Sequence, residues 1–205
     1  IRVKVRPGTS LNNLSYFASS PAIQYVEPNY IYTLPKVKVN SVIRNTSAPA
    51  DKMFSKLWGL NNTKTGFDVD ALDAWKLTKG SKKVVVAVID TGIDYKHPDL
   101  KNNMWINEKE LNGKSGVDDD GNGFVDDIHG YNPNAGTGDP MDGHSHGTHC
   151  AGTIGAVHNS IGVAGVIANV NLMAVKIFSD RGATNTAAIV EGIHYAADNG
   201  AHVMS

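Results

Sequence analysis

Lys83-Val84-Val85-Val86-Ala87-Val88-Ile89-Asp90-Thr91-Gly92 is the stretch that decides the fold. After Lys83 every position is apolar up to Ile89, and the run stops at an Asp-Thr-Gly turn signal. A strand with one wet face would alternate apolar and polar residues, so an unbroken run of this length predicts a parallel strand covered on both faces. Outward from it, a short helix is predicted over residues 69–77, carried by Ala71, Leu72, Ala74 and Trp75. Downstream lies a polar Asp/Asn/Gly-rich loop region, residues 102–143, then an Ala/Gly-rich helix from about Gly147 and a second apolar strand, residues 171–178. Residues 186–199 read as an amphipathic helix with Ala187, Val190, Ile193, His194 and Ala197 at helical spacing, and a last strand begins at Ala201. Strand and helix alternating in this way predict an α/β fold, a parallel sheet flanked by helices, whose ligands sit at the carboxyl ends of the strands. Upstream, Ile1-Arg-Val-Lys-Val-Arg6 and Ala22-Ile-Gln-Tyr-Val-Glu27 read as strands around a short helix bearing Leu11, Leu14 and Phe17. Residues 35–50 are rich in Lys, Asn, Ser and Pro without a sustained period and read as a linker. The organisation expected is a small α+β unit over 1–34, a linker over 35–50 and the α/β unit over 51–205.

Composition narrows the classes of function. The chain has 205 residues, 41% hydrophobic and 19% charged, with a formal charge of −1. That is too apolar and too weakly charged for a disordered tail. It holds no apolar run of about 18 residues that would span a membrane. Nineteen basic residues scattered among 20 acidic ones leave no footprint for nucleic acid or for anionic lipid. A single cysteine, Cys150, excludes an internal disulfide framework and is expected to pack as a small apolar residue. A monomer is expected. The chain begins at Ile1 and stops within the apolar Val203-Met204-Ser205, and both ends are expected to be cut, leaving the α/β unit incomplete.

Two stretches carry chemistry. Asp90 stands at the carboxyl end of the most apolar strand, where Asp and Gly are ordinary turn formers. Asp-Thr-Gly also resembles the catalytic triplet of aspartic proteases, in which two carboxylates share one water. A third reading makes Asp90 the orienting carboxylate of a nucleophile–base–acid set. His144-Ser-His146-Gly-Thr-His149-Cys-Ala-Gly-Thr153 then places histidines at the mouth of a small-residue helix. A His-x-x-His pair can hold zinc, but the only cysteine follows inside the helix, a poor third donor. A histidine fixed at the start of a closely packed helix suits a general base. Separately, Asp118-Asp-Asp120-Gly-Asn122-Gly-Phe124-Val-Asp126-Asp127 matches the start of an EF-hand loop, with oxygens at alternating positions and Gly at the sharp turn. Its twelfth position is His129 instead of the bidentate Glu, so a partial calcium loop is expected, with Asp118, Asp120, Asn122, Phe124 and Asp126 as ligands.

Taken together, Val88-Ile-Asp90-Thr-Gly-Ile-Asp94 and Ser145-His146-Gly-Thr-His-Cys-Ala-Gly-Thr153 resemble the first two catalytic blocks of the subtilisin-like serine proteases, the subtilases. In those enzymes the triad runs in the order Asp, His, Ser. The resemblance implies that Asp90 orients His146 and that His146 takes the proton of a serine. The family's Gly-Thr-Ser-Met-Ala-type block and its oxyanion Asn block are absent from the sequence, which implies that the serine lies beyond this chain and that these residues alone are inactive.

The resemblance implies further sites. His97-Pro-Asp99-Leu and Val157-His-Asn159-Ser-Ile161-Gly-Val163 are similar to two halves of the family's tight Ca²⁺ site, with Asp51, Asp99 and Asn159 supplying side-chain oxygens and Val157, Ile161 and Val163 carbonyls. Gly182, Ala183 and Thr184 fall on the edge that pairs with the substrate backbone by strand addition, and Thr186 replaces a pocket aromatic common in the family. Ile23-Gln-Tyr-Val-Glu27-Pro-Asn-Tyr30 resembles the closing strand of the inhibitory propeptide, which would be cut from the enzyme within the linker. The expectation is thus a secreted, calcium-stabilised endopeptidase acting on peptides or proteins, with its own propeptide as an intramolecular inhibitor. The alternatives are an aspartic-type hydrolase using Asp90, which lacks a second Asp-Thr-Gly, and a catalytically dead calcium-binding relative.

Overall fold

The structure, a computed structural model, describes residues 48–205. The expected propeptide unit, and with it most of the linker and any cleavage point before residue 48, lies outside the described residues.

Helix α1 (Ala71–Leu77) precedes strand β1 (Gly80–Asp90); a short helix α2 (Glu108–Leu111) and strand β2 (Gly130–Tyr131) follow. Then come helix α3 (His146–Gly155), strand β3 (Asn169–Lys176), helix α4 (Thr186–Asp198) and strand β4 (Val203–Met204). Among the described residues the sheet has the order β2-β3-β1-β4, and every pairing in it is parallel. In the β1–β3 register Val86 faces Leu172, Val88 faces Ala174 and Asp90 faces Lys176.

The unbroken apolar run of β1 has its predicted cause. Val86 and Val88 pack with Val170, Leu172 and Ala174 on one face, together with Ala151 of α3. Their neighbours Val85 and Ala87 pack with Met173 and Val175 on the other face, under Tyr195 and Ala196 of α4. One helix covers each face, so Val85–Val88 of β1 and Leu172–Val175 of β3 are apolar throughout, and the half-buried Asn171 near the start of β3 spends its amide on the Lys82 carbonyl. β3 and β4 lie on opposite sides of β1, so the strand order reverses at β1, and the carboxyl ends of β1 and β3 flank the cleft of a doubly wound sheet.

Two details depart from the sequence reading. Residues 102–143 are not loop throughout, since they include α2 and β2. Both are too short to leave a periodic signal. In α4, the residues read as the apolar stripe are the exposed ones: Val190 and Ile193 face outward, while Ala188, Gly192, Tyr195 and Ala196 are buried. Close approach decides this. Gly192 lies against Val175 and Ile177, where a larger side chain would not fit, and the Tyr195 hydroxyl donates to the buried Asp127 carboxylate at 2.6 Å. Two more donors, Asn107 Nδ2 at 2.9 Å and Asn122 Nδ2 at 3.1 Å, satisfy the same carboxylate. Burial nevertheless dominates and raises the Asp127 pKa above the usual carboxylate range.

Asn103 closes the end of the sheet farthest from the cleft. It is buried, and its Nδ2 donates to the carbonyls of Gly155 (2.7 Å) and Ala168 (2.9 Å), joining the last turn of α3 to the approach of β3. Asn103→Ala leaves both carbonyls buried without donors. It is expected to lower unfolding free energy by about 3 kcal/mol, read as a fall in urea midpoint at unchanged slope.

Candidate active site

Asp90 is the last residue of β1, and His146 is the first of α3. Nδ1 of His146 lies 2.8 Å from each carboxylate oxygen of Asp90. The aspartate side chain is 15% exposed and the imidazole 63%, so the carboxylate is held in the protein while the ring opens to solvent. With Nδ1 committed to the carboxylate, Nε2 is the nitrogen free to accept a proton. Asp90 therefore faces an imidazole and not a second carboxylate, which argues against the two-aspartate arrangement of an aspartic hydrolase.

Close backbone packing brings the two residues together. A Cβ on Gly147 would stand 2.1 Å from the carbonyl oxygen of Gly92, so only glycine lets the helix start this near the strand exit. The Gly147 N–H donates to Thr91 Oγ1 at 2.9 Å, and the Thr91 N–H donates to Asp90 Oδ1 at 2.6 Å. Ser145, just before His146, has a left-handed backbone with φ 81°, a strained position for a non-glycine residue.

Asp142, which the sequence reading did not single out, offsets that strain. Its Oδ1 accepts from the Thr91 hydroxyl (3.0 Å) and from the N–H groups of His144 (2.7 Å) and Ser145 (2.9 Å). Oδ2 accepts from the N–H and the hydroxyl of Thr148. Burial works to raise its pKa, but these donors outweigh it and hold Asp142 below the usual carboxylate range. Each partner is a donor, which is a signal the sequence could have offered only through the Asp-x-x-Ser-His spacing.

Gly182, Ala183 and Thr184, the residues expected to pair with a substrate, lie on a largely exposed loop after β3. It is closed by the Gly182 N–H donating to the Ser179 carbonyl and the Ser179 N–H to the Ala183 carbonyl, each at 2.9 Å. The Thr184 hydroxyl donates to the Ile177 carbonyl at 2.6 Å. Cys150, one turn after His146, has its Sγ 3.9 Å from the imidazole Nδ1, and burial followed by the charge of Asp90 raises its pKa. The chemistry it offers at neutral pH is that of a thiol, not a thiolate.

Two oxygen-rich clusters contain residues named above as expected calcium ligands. Asp51 and Asp99 are both buried, and Asn159 joins them: its N–H donates to Asp51 Oδ1 (3.0 Å) and its Nδ2 to Asp99 Oδ1 (2.9 Å). Asp51 Oδ2 is buried without a partner, and neither carboxylate meets a basic side chain among the described residues. A cation fits that orphaned oxygen. Val157, Ile161 and Val163 ring the site, with their N–H groups bonded to the Asp99 carbonyl, Asn159 Oδ1 and Asp99 Oδ2 respectively. In the second site, Asp118 and Asp120 converge with Glu110 of α2, ligand atoms of all three lying within 4.8 Å of one another. Glu110, buried and absent from the sequence reading, accepts from the N–H groups of Asp119, Asp120 and Asp126. The N–H groups of Gly123, Gly121 and Asn122 turned onto Asp118 hold its pKa down. Asn122 points its amide to Asp127, Phe124 packs its ring on Tyr131 and Tyr195, and the Asp126 carboxylate turns to the Gly116 N–H.

A sequence profile of the Subtilase family matches residues 81–205. Subtilisin-like protease 1 of Plasmodium berghei is 41% identical over 148 residues, covering 70% of this chain and 25% of that protein. The thermophilic serine proteinase of Bacillus sp. strain AK1 is 34% identical over 189 residues, 91% of this chain and 37% of the relative. Among solved structures, fervidolysin from Fervidobacterium pennivorans, a keratinolytic enzyme related to subtilisin, superposes with a TM-score of 0.55 at 29% identity, covering 87% of this chain and 24% of that one. The chain spans about a quarter of the length of the first relative and of that solved structure.

Asp142→Asn replaces an acceptor by an amide among five donors. It is expected to lower stability at pH 7 by about 2 kcal/mol. Because the folded-state pKa is depressed, the wild-type advantage should be complete above pH ~4 and shrink as the pH falls through the folded pKa. Urea unfolding of the two proteins across a pH series measures it.

Proposed function

The chain belongs to the subtilase family, and from that premise we propose that it supplies the aspartate and histidine of a serine endopeptidase whose nucleophile is a serine outside these 205 residues. The observation that carries this reading is the Asp90 carboxylate engaging Nδ1 of His146 with both oxygens at 2.8 Å. In the proposed mechanism Nε2 of His146 removes the serine proton as Oγ attacks the scissile carbonyl, then returns it to the leaving amine. Asp90 fixes the tautomer and stabilises the imidazolium without itself taking the proton. The substrate adds as a strand along residues 182–184, whose exposed loop lies beside the cleft, and polypeptides are the substrate class. The amino-terminal unit acts as a propeptide inhibitor, a reading supported by its sequence alone.

We further assign Ca²⁺ to both oxygen-rich sites. Bound there, it would neutralise carboxylates that are buried at Asp51, Asp99 and Glu110 and partly exposed at Asp118 and Asp120, and would take no part in the chemistry. Asp51, Asp99 and Asn159 would hold one ion; Asp118, Asp120 and Glu110 would hold the other. Oxygen sites that take their cation from a calcium-rich medium suit a secreted enzyme, and among the described residues no helix is long and apolar enough to cross a membrane.

In the full-length protein Asp90→Asn is expected to lower kcat on a peptide substrate by on the order of 10⁴-fold, as loss of the orienting carboxylate does in such triads. A change of less than about tenfold removes Asp90 from that role. The 205 residues alone are expected to show no covalent labelling by a fluorophosphonate, whereas the full-length protein labels at one serine.

Chelation tests the ions. EDTA should lower the thermal midpoint by about 5–10 °C, restored by Ca²⁺ in excess. Asp51→Asn should reduce that calcium-dependent shift, and an EDTA-insensitive midpoint would overturn the assignment.

A further inference from the structure

Lys176, the last residue of β3, is a lysine whose side chain is only 7% exposed. At a strand end beside an open cleft an ammonium can reach water, yet this one turns inward. Its Nζ donates to the carbonyl of Thr91 at 2.6 Å and to Asp180 Oδ1 at 2.7 Å. The first contact lands on the residue whose N–H holds Asp90 and whose hydroxyl holds the start of α3. The second lands on the loop that bears residues 182–184. Asp180 is itself 64% exposed, so it has water available and pairs with the buried ammonium nonetheless.

The carboxylate of Asp180 also reaches the other limb of the site. A Cβ on Gly143 would lie 2.3–2.5 Å from the carboxylate of Asp180, so the two segments touch where the chain leads into Ser145 and His146. The loop is stiff enough to transmit position. Ser179, next to Asp180, exchanges hydrogen bonds with Gly182 and Ala183, and Ala183 N–H also meets the Ser179 hydroxyl at 3.2 Å. An unbroken series of contacts thus runs from residues 182–184 through Ser179, Asp180 and Lys176 to Thr91, and from Thr91 to both Asp90 and the first turn of α3.

We propose that the Lys176–Asp180 bridge is a positioning device that ties the substrate-pairing edge to the Asp90–His146 pair, so that a substrate strand bound along residues 182–184 fixes the alignment of that pair. The proposal rests on the endopeptidase reading above. A substrate long enough to pair with the edge immobilises the loop, and through the ammonium it immobilises the Thr91 carbonyl. A substrate too short to pair gains nothing from the bridge. Binding energy from the remote part of a long substrate is then expressed in turnover, not only in affinity.

The test compares an extended peptide p-nitroanilide with a short N-acyl amino acid p-nitrophenyl ester, using the full-length protein. In Asp180→Asn the ratio of kcat for the extended to the short substrate should fall about tenfold, and in Asp180→Glu, which keeps the charge, it should stay within about threefold of wild type. Lys176→Met should match Asp180→Asn, and the double variant should be no worse than either single one. Asp180 is largely exposed, so its two variants decide the matter even if Lys176→Met fails to fold. Equal losses on both substrates, or an unchanged ratio in Asp180→Asn, overturn the proposal. A wild-type protein that hydrolyses neither substrate and takes no fluorophosphonate overturns the endopeptidase reading, and the proposal with it.

Discussion

The frame depends on how Thr91 spends its polar groups. Its N–H goes to Asp90, its carbonyl accepts from Lys176, and its hydroxyl donates to Asp142 while accepting from Gly147. The residue is buried, so each of these groups would carry the cost of an unmet hydrogen bond if its partner moved. Four segments therefore meet at one threonine: the exit of β1, the end of β3, the turn before α3 and the first turn of α3. The relative position of Asp90 and His146 follows from this junction more than from their own contact, because a single partly exposed hydrogen bond contributes little.

The same economy appears in the acidic loop. Its carboxylates are not simply solvated. Glu110 fixes it from within by accepting three backbone N–H groups, and Asp127 beneath it is satisfied by Tyr195, Asn107 and Asn122. Where the loop meets α4, the Tyr131 and Tyr195 rings stack and Phe124 packs edge-to-face on both. A segment that is mostly Asp, Asn and Gly is thus moored to the core through a few buried polar and aromatic groups.

Legibility in the sequence followed the range of the interaction. The parallel strands at Val84–Ile89 and at Leu172–Val175 were readable because burial on both faces writes itself as a continuous apolar run. Asp90 and His146 were readable because the motifs around them are long, and the fold expected of that resemblance is the one observed. The buried face of α4 was not readable: Val190 and Ile193 outweigh Ala188 and Gly192 on any hydropathy argument, and only the approach of the helix to Val175 and Ile177 reverses the choice. Glu110 sits in a helix of four residues, too short for a period. Asp142 and Lys176 were not singled out, since the partner they share, Thr91, lies 51 and 85 residues away along the chain. The roles assigned to residues 1–47 lie outside the described residues.

The pairing of Thr91 with Lys176 spans 85 residues of chain. It has a consequence for the order of events during synthesis. A nascent polypeptide that has already exposed Asp90 and His146 still lacks β3, and with it the ammonium on the Thr91 carbonyl and one of the two strands that bury β1. Non-local parallel pairings of this kind form late, because the intervening loop must close before any contact rewards it. Asp90 and His146 are therefore made early but aligned late, and an unfinished chain leaving the ribosome holds the two side chains without the geometry that pairs them.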